Sequence, residues 1–314
     1  MIVPTQADPR PRRTVWTRVV LMVVALLVAA MVAESLVLSS RPQRVEVALP
    51  DADGAPTWLI VGLDDRAEAA DPDNGDFGTG PDKPIGARTD VIVLVRPGRT
   101  ALSVSRDIVV LQQDGRPQRL GNLWLRSPQA LVDGLCTGLQ VPVTHLVAID
   151  MRGFQTLVDT LGGIEVTLPE AMRDRRTGLS IEAGSHTIDG RTALALVRSR
   201  QGEVLRNGRW VPEGTGEAGR EARAATVMAD VVAKAKARGT RNPALAHTLA
   251  WRVLPDVTLD ADTPLAELAS LRNLPAFTSL PVERTPNSNL AALTDQSRQT
   301  LTELGWTSGC TVRR

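Results

Sequence analysis

The stretch RTDVIVLV, residues 88–95, places charged side chains directly before an uninterrupted apolar run. The apolar part, residues 91–95, predicts a strand. Similar patterns predict strands at residues 58–61 and 101–105. Because strand and helix patterns alternate along the rest of the chain, we expect an α/β (α+β) fold, a three-layer α-β-α domain with a central mixed sheet.

The remaining elements follow from helix caps, helical spacing and short apolar runs. Pro128 near the start and Gly138 past the end bound a predicted helix at residues 127–139. The polar, glycine-rich stretch 201–217 predicts a mobile loop. Further strands are predicted at 145–149 and 164–168, and further helices at 154–161, 190–197, 218–237 and, broken by prolines, 243–275.

The composition limits the classes of partner. The chain has 314 residues and a formal net charge of +1, so it lacks the basic excess of a nucleic-acid-binding protein. Tyr is absent and only 3 Phe occur, which argues against platforms for base stacking. Nearly all basic residues are arginines, which codon bias in a GC-rich genome would also explain. The positions of the arginines must therefore carry any functional argument.

The N-terminal region predicts a single-pass anchor in the cell membrane. Four arginines between residues 10 and 18 precede the apolar stretch 19–38, and about 20 apolar residues suffice to cross a bilayer. The positive-inside rule places residues 1–18 in the cytoplasm and the following domain outside. A cleaved signal peptide is the alternative. The polar, proline-containing residues 39–56 are predicted to form a short stalk.

The chain contains two cysteines, Cys136 and Cys310. In an exported chain an even count favours a disulfide, and this one would close a loop of well over a hundred residues. Two unrelated buried thiols are the alternative.

Arginines and aspartates recur where predicted elements begin or end. Such side chains can converge on one cleft, and guanidinium groups with a few carboxylates suit a phosphate-rich ligand with a divalent metal ion. Singly, each group has a simpler explanation, such as a surface ion pair, a strand-end turn or a solvated helix face. The groups are Arg88 with Asp90, Arg106 with Asp107, Arg198 with Arg200, and Arg220 with Arg223.

The same residues lie in motifs that follow one another in a known order. The motifs are VGLDDR at 61–66, GARTD at 86–90, SVSRD at 103–107, VPVTH at 141–145, FQTLVDTLGGIEV at 154–166, DGRTALALVRSR at 189–200 and GREAR at 219–223. By this ordered set, over residues 57–238, the chain resembles the LytR-CpsA-Psr (LCP) cell-wall glycopolymer ligases of actinobacterial type. We therefore expect a catalytic domain at 57–240 and a helical C-terminal extension at 241–314 that packs on it or completes it.

The resemblance implies a phosphotransferase that moves a glycopolymer from a polyprenyl-pyrophosphate carrier to a peptidoglycan hydroxyl. Arginines and Mg²⁺ (or Mn²⁺) would neutralise the pyrophosphate and stabilise charge on the departing lipid phosphate. By the same resemblance, Asp90 and Asp107 match metal-binding aspartates, and Asp64 or Asp65 would orient or deprotonate the attacking hydroxyl. The arginines expected around the pyrophosphate, of which Arg88 and Arg106 also serve catalysis, are Arg66, Arg88, Arg106, Arg198, Arg200, Arg220 and Arg223.

The chain departs from the family pattern at uncharged positions. Ser105 stands where proline is common, Val91 where Thr or Ser is usual, and Ala222 and Ala224 where Glu and Gln are common. These departures bear on loop geometry and substrate choice more than on the reaction class. Two other functions stay open. The protein could be a polyprenyl-pyrophosphate hydrolase that uses water as acceptor, or a non-catalytic protein that binds lipid-linked glycans or has a regulatory role.

Overall fold

The computed structural model describes residues 22, 29, 32–50, 54–64, 87–112, 114–239, 242–275, 277–285, 288, 290–306 and 309–311. The chain divides into two compact units, Met1–Arg41 and Pro42–Arg314. In the first unit, residues 32–39 are helical. Among the described residues, no helix is both long enough and apolar enough to cross a bilayer. The predicted cytoplasmic tail and much of the predicted anchor lie outside these residues.

The second unit contains the strands and helices that carry the site. The strands are β1 (Gln43–Val45), β2 (Trp58–Asp64), β3 (Arg88–Arg96), β4 (Thr100–Ser103), β5 (Val109–Leu111), β6 (Pro117–Arg119), β7 (His145–Ile149), β8 (Ile164–Leu168), β9 (Met172–Asp174), β10 (Leu179–Ile181), β11 (Gly184–Ile188), β12 (Glu203–Arg206), β13 (Arg209–Pro212), β14 (Val257–Asp260), β15 (Phe277–Ser279), β16 (Glu283–Arg284) and β17 (Ala291–Ala292). The helices are α1 (Leu120–Leu123), α2 (Pro128–Leu139), α3 (Met151–Thr160), α4 (Gly190–Arg198), α5 (Gly216–Gly239), α6 (Pro243–Val253) and α7 (Asp295–Glu303), with 3-10 segments at Leu254–Asp256 and Leu265–Asn273.

A seven-stranded mixed sheet in the order β1-β14-β7-β2-β3-β4-β15 forms the centre of this unit. β2 runs parallel to β7 and antiparallel to β3. β14 is antiparallel to β7, and the edge strands β1 and β15 run parallel to β14 and β4. The mixed α/β fold expected from the sequence is confirmed. The β2–β3 register places Asp64 opposite Arg88, so two predicted site residues meet at one end of the sheet.

Alternating side chains on the central strands supply two apolar layers. Leu59 and Val61 pack into a core that includes residues of α1 and α2. Trp58 and Val93 belong to the opposite layer, against which the 3-10 segment Leu265–Asn273 packs. Burying one such side chain contributes about 1.5–3 kcal/mol, so the sheet is fixed from both faces.

A second apolar core is formed by residues of α3, α4, α5 and the smaller strands. α4 begins at Gly190 because Asp189 caps it, accepting a hydrogen bond of 2.8 Å from the Thr192 N–H. A Cβ on Gly190 would lie 2.3 Å from the Gln155 carbonyl oxygen, so only glycine permits this close crossing of α3. The crossing fixes the position of Arg198, the last residue of α4.

Three segments differ from their sequence-based predictions. The predicted stalk 39–56 contains β1, the predicted helical region 243–275 contains β14, and the predicted mobile loop 201–217 contains the β12–β13 hairpin. β1 and β14 pair with each other, and β12 pairs with β9 as well as β13. Each strand has only three or four residues. Such short strands owe their form to distant partners, which local patterns do not reveal. The extension 241–314, predicted to be helical, likewise contains the short strands β15, β16 and β17 besides its helices.

Cys136 on α2 and Cys310 form a disulfide, the pairing expected from the even cysteine count. Their Cα atoms are 5.3 Å apart, and 174 positions separate them in sequence. Because Cys136 is buried in the main domain, the bridge attaches the C-terminal segment to it.

Candidate functional site

The connection between β4 and β5 carries Arg106 between two carboxylates. Its Nη1 donates to Asp90 Oδ1 on β3, and its Nε lies 3.8 Å from Asp107 Oδ1. The Arg106 carbonyl accepts a hydrogen bond of 2.8 Å from the Gly121 N–H. A Cβ on Gly121 would lie 2.9 Å from the Thr89 carbonyl oxygen, so glycine is required for this approach. The contacts tie β3, α1 and the connection together.

Asp107 is a buried carboxylate surrounded by three arginines. Besides Arg106, Arg119 places Nη1 3.5 Å from Asp107 Oδ1, and Arg284 places Nη1 3.6 Å from Oδ2. Its side chain is 2% exposed. A buried charge is tolerated only when it is paired, and these arginines supply the pairing.

Asp90 lies at the electrostatic centre of the site. Burial alone would raise its pKa, but the positive charges of Arg106, Arg220, Arg200 and Arg198 outweigh burial and hold the pKa of Asp90 below its ordinary value. The carboxylate is therefore ionised at neutral pH. The four arginines come from α4, α5 and two connecting segments, so the fold gathers them around one anion.

Residues 198–200 leave the end of α4 beside these carboxylates. Arg198 Nη2 lies 3.5 Å from Asp64 Oδ1 at the end of β2, and Arg200 Nη2 lies 3.9 Å from Asp90 Oδ1. Asp64 is only 5% exposed. Like Asp90, it has its charge compensated by a nearby arginine.

Ser199 fastens this segment from two sides. Its buried hydroxyl donates to Asp174 Oδ2 at 2.8 Å, and its carbonyl accepts from Arg223 Nη2 at 2.6 Å. Arg223 Nη1 also donates to both carboxylate oxygens of Glu213, at 2.5 and 2.7 Å. Burial alone would raise the pKa of Asp174, but the hydrogen bond from Ser199 and those from backbone N–H groups lower it.

Glu221 joins α5 to the segment 105–107. It accepts hydrogen bonds from the Ser105 hydroxyl at 2.8 Å and from Arg284 Nη2 at 2.5 Å. Ser105, which departs from the common proline, therefore supplies a link to α5. Arg284 contacts both Glu221 and Asp107, so it couples the helix to the buried carboxylate.

Two cavities adjoin Arg106. The first, here called the arginine pocket, has a volume of about 180 Å³ and is lined by Arg88, Arg106, Asp107, Arg119, Gly121, Asn122 and Arg200. The second, here called the apolar cavity, has a volume of about 30 Å³ and lies between β3, β4 and α5. Apolar side chains form part of its lining, and polar or charged ones form the rest. The apolar ones include Val91, Val93, Val104, Ala224, Ala225 and Met228, and the polar or charged ones are Asp90, Ser103, Ser105, Arg106, Arg220 and Glu221.

The structure brings most of the predicted site residues together. These are Asp64, Arg88, Asp90, Arg106, Asp107, Arg198, Arg200 and Arg220. Arg223 instead contacts the Ser199 backbone and Glu213, and Asp65 and Arg66 lie outside the described residues. Sequence reasoning missed Arg119, Arg284 and Glu221. Glu221 lies inside a recognised motif, whereas nothing in the local sequence distinguishes the other two.

Among the described residues, the two carboxylates that flank Arg106 are the predicted metal ligands. Asp90 and Asp107 both face Arg106. In the described part of the chain, no three His, Cys, Asp or Glu side chains form a metal-binding group. A metal at this site would therefore need oxygen ligands from substrate or water.

Comparisons with known proteins agree on one family. The family model described as LytR_cpsA_psr matches residues 23–285. Cell wall biosynthesis protein LcpA of Corynebacterium glutamicum is 26% identical over 274 residues, or 74% of this chain and 51% of that protein. TagU of Bacillus subtilis, named a polyisoprenyl-teichoic acid–peptidoglycan teichoic acid transferase, is 30% identical over 148 residues, or 46% of this chain and 43% of that protein. The chain thus spans about half or less of the length of these curated relatives.

A solved structure shares both the fold and a substantial part of the sequence. The LytR-Csp2A-Psr enzyme from Actinomyces oris gives a TM-score of 0.74 at 36% identity, covering 87% of this chain and 99% of that one. The family match at 23–285 also includes every residue that lines the arginine pocket and the apolar cavity. The chain therefore belongs to the LytR-CpsA-Psr family.

Proposed function

We propose that the protein is a phosphotransferase that attaches a glycopolymer from a polyprenyl-pyrophosphate carrier to peptidoglycan. The observation that carries the proposal is the arginine pocket next to the apolar cavity, with Arg106 in the lining of both. A lipid pyrophosphate combines a doubly charged group with an apolar chain, so it requires such a pair of neighbouring environments. The name of TagU, a transferase of teichoic acid to peptidoglycan, supports this class of reaction.

The arginines would bind the pyrophosphate and the charge that develops during transfer. In the reaction, the acceptor hydroxyl oxygen forms a bond to the glycan-bearing phosphorus, and the bridging P–O bond breaks. The lipid monophosphate leaves with the bonding electron pair, and the hydroxyl proton passes to solvent. Arg88 and Arg200 line the pocket, and Arg106 and Arg220 line the apolar side where the leaving phosphate would lie. Such donors typically contribute about 100- to 1,000-fold in rate.

Asp90 and Asp107 are the proposed ligands of a magnesium or manganese ion. Mg²⁺ commonly binds one or two protein carboxylates and completes its shell with water and substrate phosphate. Two carboxylates that face the same guanidinium fit that pattern. When bound, the ion would act as a Lewis acid on the phosphate oxygens.

The apolar cavity is the proposed entrance for the polyprenyl chain. Its volume of about 30 Å³ accommodates roughly one water molecule, so a prenyl chain requires it to widen. α5 provides one wall through Ala224, Ala225 and Met228. We therefore propose that α5 moves away from β3 and β4 when the lipid binds.

Asp64 would orient the attacking hydroxyl. It lies at the end of β2, 3.5 Å from Arg198, at the same end of the sheet as Arg88. Its carboxylate can accept a hydrogen bond from the hydroxyl and so align the oxygen with the phosphorus. Asp65 is the other candidate for this role from the sequence.

The proposed location is the outer face of the cell membrane, with residues 19–38 as the anchor. The arginines before this stretch support a cytoplasmic N-terminus. The apolar side chains of Met22, Val32 and Leu36 are 64%, 54% and 65% exposed, as expected of residues that face lipid.

The test is a transfer assay with labelled carrier-linked glycopolymer and Mg²⁺, with and without peptidoglycan fragments. We expect label on the peptidoglycan and release of lipid monophosphate that depends on the acceptor, with both lost when a chelator removes the metal. Release at the same rate without acceptor would favour the hydrolase. Tight binding of the carrier without turnover would favour the non-catalytic alternative, and either result would overturn the proposal.

A further inference from the structure

A third cavity adjoins the site beside Arg200. It has a volume of about 670 Å³, within the range of about 300–1,000 Å³ that is typical of ligand sites. Its walls are the β9–β10 turn, the residues after α4 and the end of β13. This polar cavity is lined by Arg175, Arg176, Arg200, Gln201, Glu203 and Glu213, among others.

The acidic side chains of the polar cavity already have partners. Glu203 accepts a hydrogen bond of 2.7 Å from Arg173 Nε, and Glu213 accepts two from Arg223. Asp174 is buried and bound to the Ser199 hydroxyl. These carboxylates therefore do not compensate the remaining arginines of the cavity.

Arg175 and Arg176 are the surplus cations. Both are exposed, and within the described residues neither side chain takes part in an ion pair or hydrogen bond. They lie between β9 and β10, whose pairing fixes the ends of the turn. Because guanidinium groups bind carboxylates bidentately, the cavity suits an anionic ligand.

The three cavities are joined through shared arginines. Arg106 lines both the apolar cavity and the arginine pocket, and Arg200 lines both the arginine pocket and the polar cavity. Among the described residues, none lines both the apolar and the polar cavity. In-line displacement brings the attacking hydroxyl from the side opposite the leaving group. If the lipid phosphate leaves toward the apolar cavity, the acceptor enters from the side of Arg200.

We propose that the polar cavity is the acceptor subsite, where Arg175 and Arg176 bind carboxylates on the peptide stems of peptidoglycan. The assignment rests on the proposed function, because it presumes transfer to a peptidoglycan hydroxyl. It gives these two arginines a role in holding the acceptor and none in cleaving the donor.

The test compares the wild type with Arg175→Ala/Arg176→Ala in transfer kinetics, with acceptor and donor varied separately. Two acceptors are used: soluble peptidoglycan fragments with free stem carboxylates, and the same fragments with those carboxylates amidated. We expect the double variant to raise the acceptor KM about fivefold to tenfold, with kcat and the donor KM within about twofold of wild type. With the amidated acceptor, the wild type and the variant should have the same, raised KM.

The matched control is Arg116→Ala/Arg209→Ala, which removes two exposed arginines outside the cavity and should leave the acceptor KM unchanged. An unchanged acceptor KM in Arg175→Ala/Arg176→Ala, or an equal loss with the amidated fragments, would overturn the subsite. If the double variant raises the donor KM and not the acceptor KM, the polar cavity belongs to the donor glycan, and the acceptor subsite is overturned as well.

If the wild type neither cleaves the donor nor transfers it, the proposed function fails, and binding tests the cavity separately. Fluorescence anisotropy with labelled fragments should then show at least about fivefold weaker binding to the double variant. Equal binding of the carboxylate and amidated forms to the wild type would contradict the subsite.

Discussion

The segments 105–107 and 198–200 both carry arginines to Asp90, yet different contacts fix them. The first is surrounded by charged side chains from distant parts of the chain, including Arg284 near the C-terminus. The second is fastened through a buried hydroxyl, because Ser199 donates to Asp174 inside the fold. One side of the site is thus a charge network, and the other is a rigid hydrogen-bonded frame.

This difference predicts which of the two segments can change position when a ligand binds. Arg119 and Arg284 are 37% and 27% exposed, and partly exposed charges respond to salt and to an incoming anion. A buried hydroxyl–carboxylate bond is shielded from salt, and breaking it leaves a buried polar group unsatisfied, at a cost of about 1–3 kcal/mol. We therefore expect segment 105–107 to rearrange when the proposed pyrophosphate and metal ion bind, while segment 198–200 keeps its position.

Reduction of the disulfide should have the largest effect and should act on one segment. A bridge over 174 positions contributes up to about 5 kcal/mol in the loop-entropy model, so we expect a reductant to lower the melting temperature by about 10 °C. The bridge holds the C-terminal region, whose Ala291 N–H donates to the Asp107 carbonyl at 2.9 Å. Hydrogen exchange should accelerate at Ala291 more than at Gln201, beside Ser199.

The control for this experiment is the Cys136→Ser/Cys310→Ser variant, whose melting temperature should not respond to the reductant. If the reductant leaves the wild-type melting temperature unchanged, the disulfide does not stabilise the domain. Equal acceleration of exchange at both amides would remove the contrast between the segments.

Arg106→Ala should have the next largest effect, on turnover. We expect transfer to fall about a hundredfold, equivalent to about 2.7 kcal/mol, because the guanidinium between Asp90 and Asp107 is lost from both cavities. Circular dichroism should show a folded domain. Arg99→Ala, which removes an exposed arginine, serves as the control and should retain wild-type turnover. Wild-type turnover in Arg106→Ala would remove this arginine from the site.

Ser199→Ala tests the hydrogen-bonded frame. Loss of the buried donor should destabilise the domain by about 1–3 kcal/mol, or several degrees in melting temperature. It should also lower kcat, because the segment that carries Arg198 and Arg200 loses one of its two anchors. Thermal melts and transfer kinetics measure the two effects. A melting temperature within one degree of wild type, as expected for exposed Ser288→Ala, would contradict the frame.

Arg284→Ala tests the charge network and should have a smaller effect. We expect turnover to fall about fivefold, near 1 kcal/mol, with little change in melting temperature, because the remaining arginines still neutralise Asp107. The defect should shrink as salt rises, since salt also weakens the wild-type network. Arg298→Ala, with a 66% exposed side chain, is the control. If Arg284→Ala lost more stability than Ser199→Ala, the charge network would contribute more to stability than the hydrogen-bonded frame, contrary to the comparison.

The smallest expected effect is the change that acid makes to the stability of the hydrogen-bonded frame, through the carboxylate of Asp174. Because the folded-state pKa of Asp174 is lowered, its charged form favours folding above the ordinary aspartate pKa of about 3.9, and this contribution is lost as pH falls through the folded pKa. Asp174→Asn has no such proton to gain. The gap in melting temperature between wild type and variant should therefore narrow below about pH 4. A gap that stays constant from pH 7 to pH 3 would contradict the linkage.

Much of the fold could be predicted from local patterns because the central strands are uninterrupted apolar runs. β3 and β4 follow from such runs beside clear turn signals. β14, by contrast, is a four-residue strand in an alanine- and leucine-rich region. Its pairing with β7 and β1, rather than its own propensity, makes it a strand.

The site was predictable only where residues lie in recognisable motifs. Arg88 and Arg106 stand in such motifs beside apolar strands. Arg119 and Arg284 do not, and each reaches Asp107 only because tertiary packing brings a short strand to the site. Arg223 shows the opposite case, since its motif predicts a pyrophosphate ligand whereas its observed contacts are Glu213 and a backbone carbonyl.

The pairing of β1 with β14 has a consequence for the timing of synthesis. Gln43–Val45 are made early, but their partner at Val257–Asp260 is made late. At about 5–20 residues per second, the ribosome makes β1 on the order of ten seconds before β14. From the synthesis of β7 at His145–Ile149 until that of β14, one edge of β7 has no strand beside it, and open edges favour aggregation. We therefore expect nascent chains that stop before residue 257 to depend on a chaperone.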